Sequence, residues 1–245
     1  MDNIILFQPL EQFEVVYLTT FYGYIINNSI LYLILVYLLI RFFFGFVLFQ
    51  LNTIPKNWQS FLELIYKFVF GLVKQQIGSK GYAYFPILFT LFIFILVANL
   101  IGMTLYSFTL TSHITIAFTL SFSFFIGIVI VGIINLKVKF LDLFVPHGAP
   151  KNLLPFIVAI EIVSYLSRPL SLGIRLFANM MSGHALLAIL ASFTLDISRK
   201  FFLVTIIPFI LITAIVSLEV MIALLQAYVF TVLVCIYLHD ALYGH

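Results

Sequence analysis

Charged residues are scarce in this chain: aspartate, glutamate, lysine and arginine make up only 9% of its 245 residues. A soluble domain typically contains about a quarter of such residues. Hydrophobic residues account for 64%, and the mean hydropathy is +1.21, so most of the surface cannot face water. The composition excludes an ordinary water-soluble protein and indicates an integral membrane protein.

Other features that the sequence lacks narrow the class of membrane protein. Cys235 is the single cysteine, which excludes an internal disulfide. The strict apolar and polar alternation of barrel strands is missing, and the apolar runs far exceed the roughly 10 residues that such a strand needs. Helices remain, because lipid offers no partner for backbone N–H and C=O groups. A Gly-rich phosphate loop is also lacking, so we expect no nucleotide site, no cofactor and no nucleic-acid partner.

The apolar runs predict an all-α membrane protein, with five membrane-crossing helices and one interfacial amphipathic helix in a single membrane domain over residues 1–245. The last two helices exceed the roughly 20 residues that a span requires, so we expect a long, strongly tilted hairpin. The predicted segments are an outer N-terminal tail at 1–23, spans at 24–50, 84–106 and 114–136, the interfacial helix at 58–79, and the long helices at 152–195 and 200–243.

The distribution of basic residues predicts the orientation. Lysine and arginine cluster after the first and third spans, whereas the connection between the second and third spans has no charge. By the positive-inside rule, these basic connections face the inner side and the N-terminus faces the outer side.

Four charges interrupt the two long apolar helices: Glu161, Arg168, Arg175 and Glu219. A charge at mid-membrane costs at least about 2.5 kcal/mol on insertion scales, so each is a functional-site hypothesis by default. The alternative is a structural ion pair, or a side chain that snorkels to the interface.

Helical geometry gathers polar side chains into a polar stripe. Residues near Arg175 on one face, within about 40° at 100° per residue, are Glu161, Ser164, Arg168, Ser171, Asn179 and Ser182. His184 falls on the opposite face. On the last helix Glu219 and Gln226 share a face, and His239 and Asp240 lie near its end. Ionisable groups thus occur at two depths, as two incomplete proton routes would require.

An arginine suits the position between two such routes. Its guanidinium does not give up its proton in practice, so it repels a proton moving straight across. It also stabilises a carboxylate brought close to it, and so lowers the pKa of that carboxylate.

Several spaced motifs resemble one known family. They are SLGIRLFANMMSGH at residues 171–184, LEVMIALLQAYVF at 218–230, YLHDA at 237–241, FVPHGAP at 144–150 and QPLEQFE at 8–14. Together they resemble subunit a of F-type ATP synthases, over nearly the whole chain.

This resemblance implies a non-catalytic proton-channel subunit that faces a rotating c-ring and works with a peripheral stalk, other membrane-sector subunits and lipid. Arg175 matches the essential arginine of the family, with Asn179 and Gln226 as its polar neighbours. His184 and Glu219 match the outer half-channel. Glu161 and Asp240 match the acidic residues at the inner exit, with Arg168 beside them. His239, near the inner end, is a further candidate for the proton path, with an interfacial position as the alternative. The arrangement resembles mitochondrial members and implies the mitochondrial inner membrane, with a bacterial plasma membrane as the alternative.

Three other functions fit the sequence less well. A haem-binding electron carrier needs paired histidines on facing helices, yet only His184 is deeply embedded. A secondary transporter often shows inverted repeats and broken helices, which are not seen in this sequence. A zinc site at His184 and Glu219 would lack the usual third ligand, so we expect no metal site.

Overall fold

The computed structural model describes residues 13–21, 24–48, 55–104, 108–137, 140, 154–200 and 205–244. These residues form a short β-hairpin followed by six α-helices. The hairpin consists of β1 (Tyr17–Phe21) and β2 (Tyr24–Asn27). The helices are α1 (Asn28–Leu48), α2 (Asn57–Gln76), α3 (Phe85–Gly102), α4 (Ile114–Leu136), α5 (Leu154–Lys200) and α6 (Ile206–Tyr243). Two 3₁₀ turns, Ser79–Tyr84 and Leu110–Ser112, precede α3 and α4.

Five helical stretches are long and apolar enough to cross a membrane. They are Asn28–Phe46, Ser79–Gly102, Ile114–Leu136, Pro155–Leu195 and Ile206–Tyr243. The prediction of an all-α, multi-pass membrane protein is thereby confirmed. With 47 residues at about 1.5 Å each, α5 is about 70 Å long, against about 30 Å for a hydrocarbon core. The interfacial position of α2 stays a prediction.

The N-terminal segment differs from the sequence expectation. The first span was expected to begin near Tyr24, but β2 pairs there in antiparallel fashion with β1, and α1 begins only at Asn28. The strands are rich in tyrosine, isoleucine and threonine, which favour extended structure. Hydropathy alone does not distinguish such a strand from the first turn of an apolar helix.

Other boundaries shift where the backbone turns. The predicted interfacial helix ends at Gln76 rather than near 79, because Gly78 takes a φ of +78° that interrupts the helix. The second predicted span begins at Phe85 and its helix ends at Gly102. The motif at 144–150, most of that at 8–14, and predicted span residues 49–50, 105–106, 152–153 and 201–204 lie outside the described residues.

The core lies between the crossing helices. One cluster of fully buried side chains joins α2, α3, α5 and α6, and includes Val73, Ile95, Leu176, Phe230 and Cys235. Close packing here holds α5 and α6 against a scaffold of shorter helices.

A glycine and a buried hydrogen bond bring α4 against α5. An added Cβ at Gly173 would lie 3.3 Å from the Phe118 ring, so only glycine gives this separation without a shift. One turn away, the buried Ser121 hydroxyl donates to the carbonyl of Pro169, inside α5. Ala178, another small residue of α5, is exposed and does not contribute to such a contact.

The connection between α3 and α4 folds inward. Thr109, Thr111 and Ser112 are buried, and the Thr109 hydroxyl is hydrogen-bonded to that of Ser112. The imidazole of His113 stacks on the Phe108 ring with centroids 4.6 Å apart. Burial lowers the pKa of His113 below its usual 6.5, because desolvation disfavours the charged imidazolium.

Candidate functional site

Three polar pairs join α5 to α6. Early residues of α5 meet late residues of α6, as two antiparallel helices require. The pairs are Arg168 with Asp240, Asn179 with Gln226, and His184 with Glu219. They lie in this order along α5, so the structure brings six of the predicted site residues together between the two helices.

The His184 and Glu219 pair is the deeply embedded acid and base of this interface. His184 Nε2 lies 3.6 Å from Glu219 Oε1, near enough for electrostatic interaction but longer than a direct hydrogen bond. Glu219 is only 2% exposed, and neither of its oxygens has a hydrogen-bond partner among the described residues. A carboxyl and an imidazole so placed can exchange a proton when their geometry tightens.

Asn179 and Gln226 form the middle pair. Asn179 Nδ2 donates to Gln226 Oε1 at 3.0 Å, and Gln226 is 3% exposed. Amides do not titrate near neutral pH, so this pair can orient hydrogen bonds but cannot store a proton.

Arg168 and Asp240 form an ion pair, with 3.2 Å between Nη1 and Oδ2. The Arg168 guanidinium also lies against two aromatic rings, 5.1 Å from the centroid of Tyr165 and 5.2 Å from that of Tyr237. Cation–π contacts of this kind hold an arginine in one place. His239 Nδ1 lies 3.7 Å from the other Asp240 oxygen, which extends the cluster toward the C-terminal end of α6.

Glu161 is not part of that cluster. It lies partly exposed on α5, two turns before Arg168, and has no ion pair within the described ranges. The place of Glu161 at the inner exit with Asp240 stays a prediction.

Arg175 differs from Arg168, although both lie on α5 seven residues apart. It is partly buried and forms neither a hydrogen bond nor an ion pair with any residue that the structure describes. At that spacing it lies on the same side of α5 as Arg168, the side on which Arg168 contacts Asp240 of α6. Its neighbours Leu170 and Ile174 are exposed on the outer surface of α5. The hypothesis of a structural ion pair therefore fits Arg168 and not Arg175.

Two contacts in the site were missed by sequence reasoning. Gly183 packs so close to Glu219 that an added Cβ would lie 2.6 Å from Oε1. Asn99 of α3 is fully buried, and its Nδ2 donates to the Ala223 carbonyl of α6 at 3.2 Å. The signal for Asn99 was present, since an amide inside an apolar span is costly unless it is bonded. No sequence pattern reveals the tertiary contact of Gly183.

Zinc has little to bind at this site. His184 and Glu219 supply two ligands, and the described part of the chain has no group of three or more His, Cys, Asp or Glu residues placed to hold a metal ion. A stable zinc site needs three or four protein ligands.

The fold and the site are those of a multi-pass membrane protein with ionisable groups inside its helices. Ionisable side chains lie at two levels between two long apolar helices, and between the levels lies an arginine that has no ion pair among the described residues. Such groups inside a membrane mark ion or proton pathways, because burial without function is costly.

Comparison with known proteins identifies the family. Residues 30–239 match the family described as ATP synthase A chain. The chain is 48% identical over 243 residues to ATP synthase subunit a of Acanthamoeba castellanii, covering 96% of this chain and 97% of that protein. It is 45% identical over 248 residues to the subunit a of Marchantia polymorpha, covering 97% and 98%. With that of Chondrus crispus the identity is 44% over 250 residues, and the coverage is 99% of both chains. The chain belongs to the ATP synthase A chain family, which confirms the resemblance seen in its motifs.

Proposed function

We propose that this chain carries protons to and from the carboxylates of a rotating c-ring, through two offset half-channels separated by Arg175. Membership of the ATP synthase A chain family supports proton translocation within the membrane sector of that enzyme. The proposal is more specific, because it assigns the route to named side chains of α5 and α6.

The observation that carries the proposal is that Arg175, between two paired clusters, has no ion pair or hydrogen bond with any described residue. At about 1.5 Å per residue, Arg175 lies about 10 Å along α5 from Arg168 and about 13 Å from His184. An unpaired guanidinium inside a membrane is costly, so a partner anion outside the described residues is expected. A carboxylate on a neighbouring protein would provide that anion.

The two clusters then act as separate routes. His184 and Glu219 take protons from the outer side, and Asn179 and Gln226 orient hydrogen bonds toward Arg175. On the other side, Asp240 releases protons while its ion pair with Arg168 holds it in place, with His239 and Glu161 nearer the exit. Arg175 prevents a proton from crossing directly, so a proton can travel only on the moving carboxylate.

The exposed surface beside Arg175 is suited to a protein partner. Leu170 and Ile174 on α5 are exposed, as are Leu218, Met221 and Leu225 on α6. A contiguous apolar surface interrupted by a single charge can bind a ring of helices that carry carboxylates. The peripheral stalk and other membrane-sector subunits would bind elsewhere on the chain.

The proposed location is the mitochondrial inner membrane, with a bacterial plasma membrane as the alternative. The relatives from Acanthamoeba castellanii, Marchantia polymorpha and Chondrus crispus support the mitochondrial assignment. So does the order of the site residues, with the histidine on α5 and the glutamate on α6. Immunodetection of the chain in purified mitochondria would test this location.

Arg175→Ala tests the proposed function. We expect the complex to assemble, since Arg175 has no partner within the described chain, and we expect proton-driven ATP synthesis in vesicles to stop. Arg41→Ala is the matched control. It removes an arginine from another apolar helix, where Arg41 is exposed and hydrogen-bonded to Tyr37. Normal synthesis in the Arg175 variant would refute the proposal, as would equal loss in both variants.

A further inference from the structure

The strongest unexplained feature outside the α5–α6 pairs is Asn99, which is 0% exposed within α3. Its Nδ2 donates to the Ala223 carbonyl, which can only accept, so the orientation of the amide is fixed. The Oδ1 atom therefore points away from that carbonyl, and it has no hydrogen-bond partner in the described part of the chain.

Asn99 of α3 contacts α6 at a level between two of the site residues. Ala223 lies four residues after Glu219 and three before Gln226, so all three fall on one side of α6, within about two turns or 10 Å. Asn99 thus contacts α6 midway between the carboxyl of Glu219 and the amide of Gln226. Both of those side chains are almost fully buried, as Asn99 is.

Acceptors outnumber donors among the buried polar atoms of this region that lack a partner in the described chain. Glu219 has two oxygens without partners, and Asn99 adds a third acceptor in Oδ1. Gln226 Oε1 accepts from Asn179, and the Gln226 Nε2 donor has no partner among the described residues. Two acceptors cannot bond each other, whereas water donates and accepts. Buried polar atoms almost always bond to protein or to ordered water, so water is the group that can satisfy this set.

We propose that Asn99 is a positioning residue of the outer route, and that its Oδ1 orients a short chain of water molecules from Glu219 to Gln226. The inference rests on the proposed function. A proton leaves the Glu219 carboxyl for the first water, and each water passes a different proton to the next, so each water keeps two hydrogens. The last water, beside Gln226, gives its proton to the c-ring carboxylate, and the Glu219 carboxylate takes its next proton from the outer side. No electrons move, and the Asn99 amide neither gains nor loses a proton.

Valine and threonine have nearly equal shapes, so placing each at position 99 isolates the effect of side-chain polarity on proton flux. Asn99→Val removes all polar atoms, whereas Asn99→Thr retains a hydroxyl that can accept from water. Proton flux per assembled complex is measured in vesicles, in H₂O and in D₂O. We expect flux in the valine variant to fall at least about tenfold, the scale for one unmade buried hydrogen bond, with a changed solvent isotope effect. The threonine variant should keep most of the flux.

A matched control separates water positioning from helix packing. Ser121→Ala removes another buried bond from a side chain to a carbonyl, between α4 and α5 and away from the outer route. A purely structural role for Asn99 would make Ser121→Ala, Asn99→Val and Asn99→Thr lower the amount of complex alike, with an unchanged isotope effect. That result, or unchanged flux in Asn99→Val, would overturn the inference. If the valine variant does not assemble, Asn99→Ala removes the same polar atoms without added bulk, and the same outcomes apply.

The proposed function and this inference can fail separately. Coupled synthesis in Arg175→Ala would reject the proposed function. Loss of synthesis in Arg175→Ala, together with full flux in Asn99→Val, would reject only the role of Asn99.

Discussion

At the scale of single residues, the two arginines of α5 show how context decides function. Arg168 is held by the Asp240 carboxylate and by two aromatic rings, whereas Arg175 has no such partners among the described residues. The same side chain on the same helix is thus structural at one position and free to meet a partner at the other.

Arg175→Lys should fail almost as completely as removal of the charge. A lysine supplies a point charge on a flexible stem, whereas a guanidinium is a planar fork that can bind both oxygens of a carboxylate. We expect ATP synthesis to fall by about 10²-fold, the scale for loss of one positioned electrostatic donor. Synthesis in vesicles at equal complex content measures this. Near-normal rates would show that charge alone is sufficient at this position.

Gly183→Ala should disturb the outer pair without unfolding the protein. The new Cβ would meet Glu219 Oε1 at 2.6 Å, and the end of a flexible side chain can move aside. Displacement of a reacting group by about 1 Å can cost up to about 10²-fold in rate, so we expect a clear loss of proton flux at normal assembly.

The control for this variant is Gly127→Ala in α4, where an added Cβ meets nothing within 4 Å. Equal flux in the Gly183 and Gly127 variants would show that the close approach of Gly183 to Glu219 does not affect proton flux.

At the scale of elements, periodicity predicted which residues of one helix share a face, but not which helix they meet. The seven-residue spacing of Glu219 and Gln226 correctly placed both on one side of α6. On α5, ideal geometry separates Asn179 and His184 by about 140°, yet both reach α6. The register between two helices depends on how they cross and pack, and a single sequence does not contain that information directly.

Local contacts of other elements were also beyond the sequence. The β-hairpin and the role of Gly183 arise from pairing and close approach between segments. By contrast, the existence of the long helices was predictable, because continuous apolar runs satisfy their own backbone groups in lipid.

The buried connection between α3 and α4 should make the protein sensitive to acid. The pKa of His113 is lower in the folded protein than its usual 6.5, so the unfolded chain binds a proton first as pH falls. Stability from this group is therefore complete above about 6.5 and is lost as pH falls through the folded value. We expect His113→Gln to reduce the acid-induced fall in melting temperature between about pH 7 and 5.

Thermal unfolding in detergent, measured across this pH range for both proteins, tests the effect. If the melting temperatures of the wild type and of His113→Gln fall equally with pH, His113 is not the group that makes the protein sensitive to acid.

At the scale of the whole molecule, the shorter helices form a packed scaffold that holds α5 and α6, and the polar pairs lie along the seam between α5 and α6. The scaffold is apolar and could be predicted from composition. The proposed routes lie in the seam, and its charges occur inside apolar helices, where charges are costly. The central claim is that this seam contains two routes, one on each side of Arg175, rather than a continuous channel.

Proton flux through the complex in vesicles, with the pH set separately on each side, tests that claim most directly. Glu219→Gln should lower flux by about 10²-fold or more and change its dependence on pH at the outer side only, because it removes the titrating carboxyl of that route. Asp240→Asn should change the dependence on pH at the inner side only. The account is contradicted if both substitutions alter the response to the same side, or if either alters the response to both.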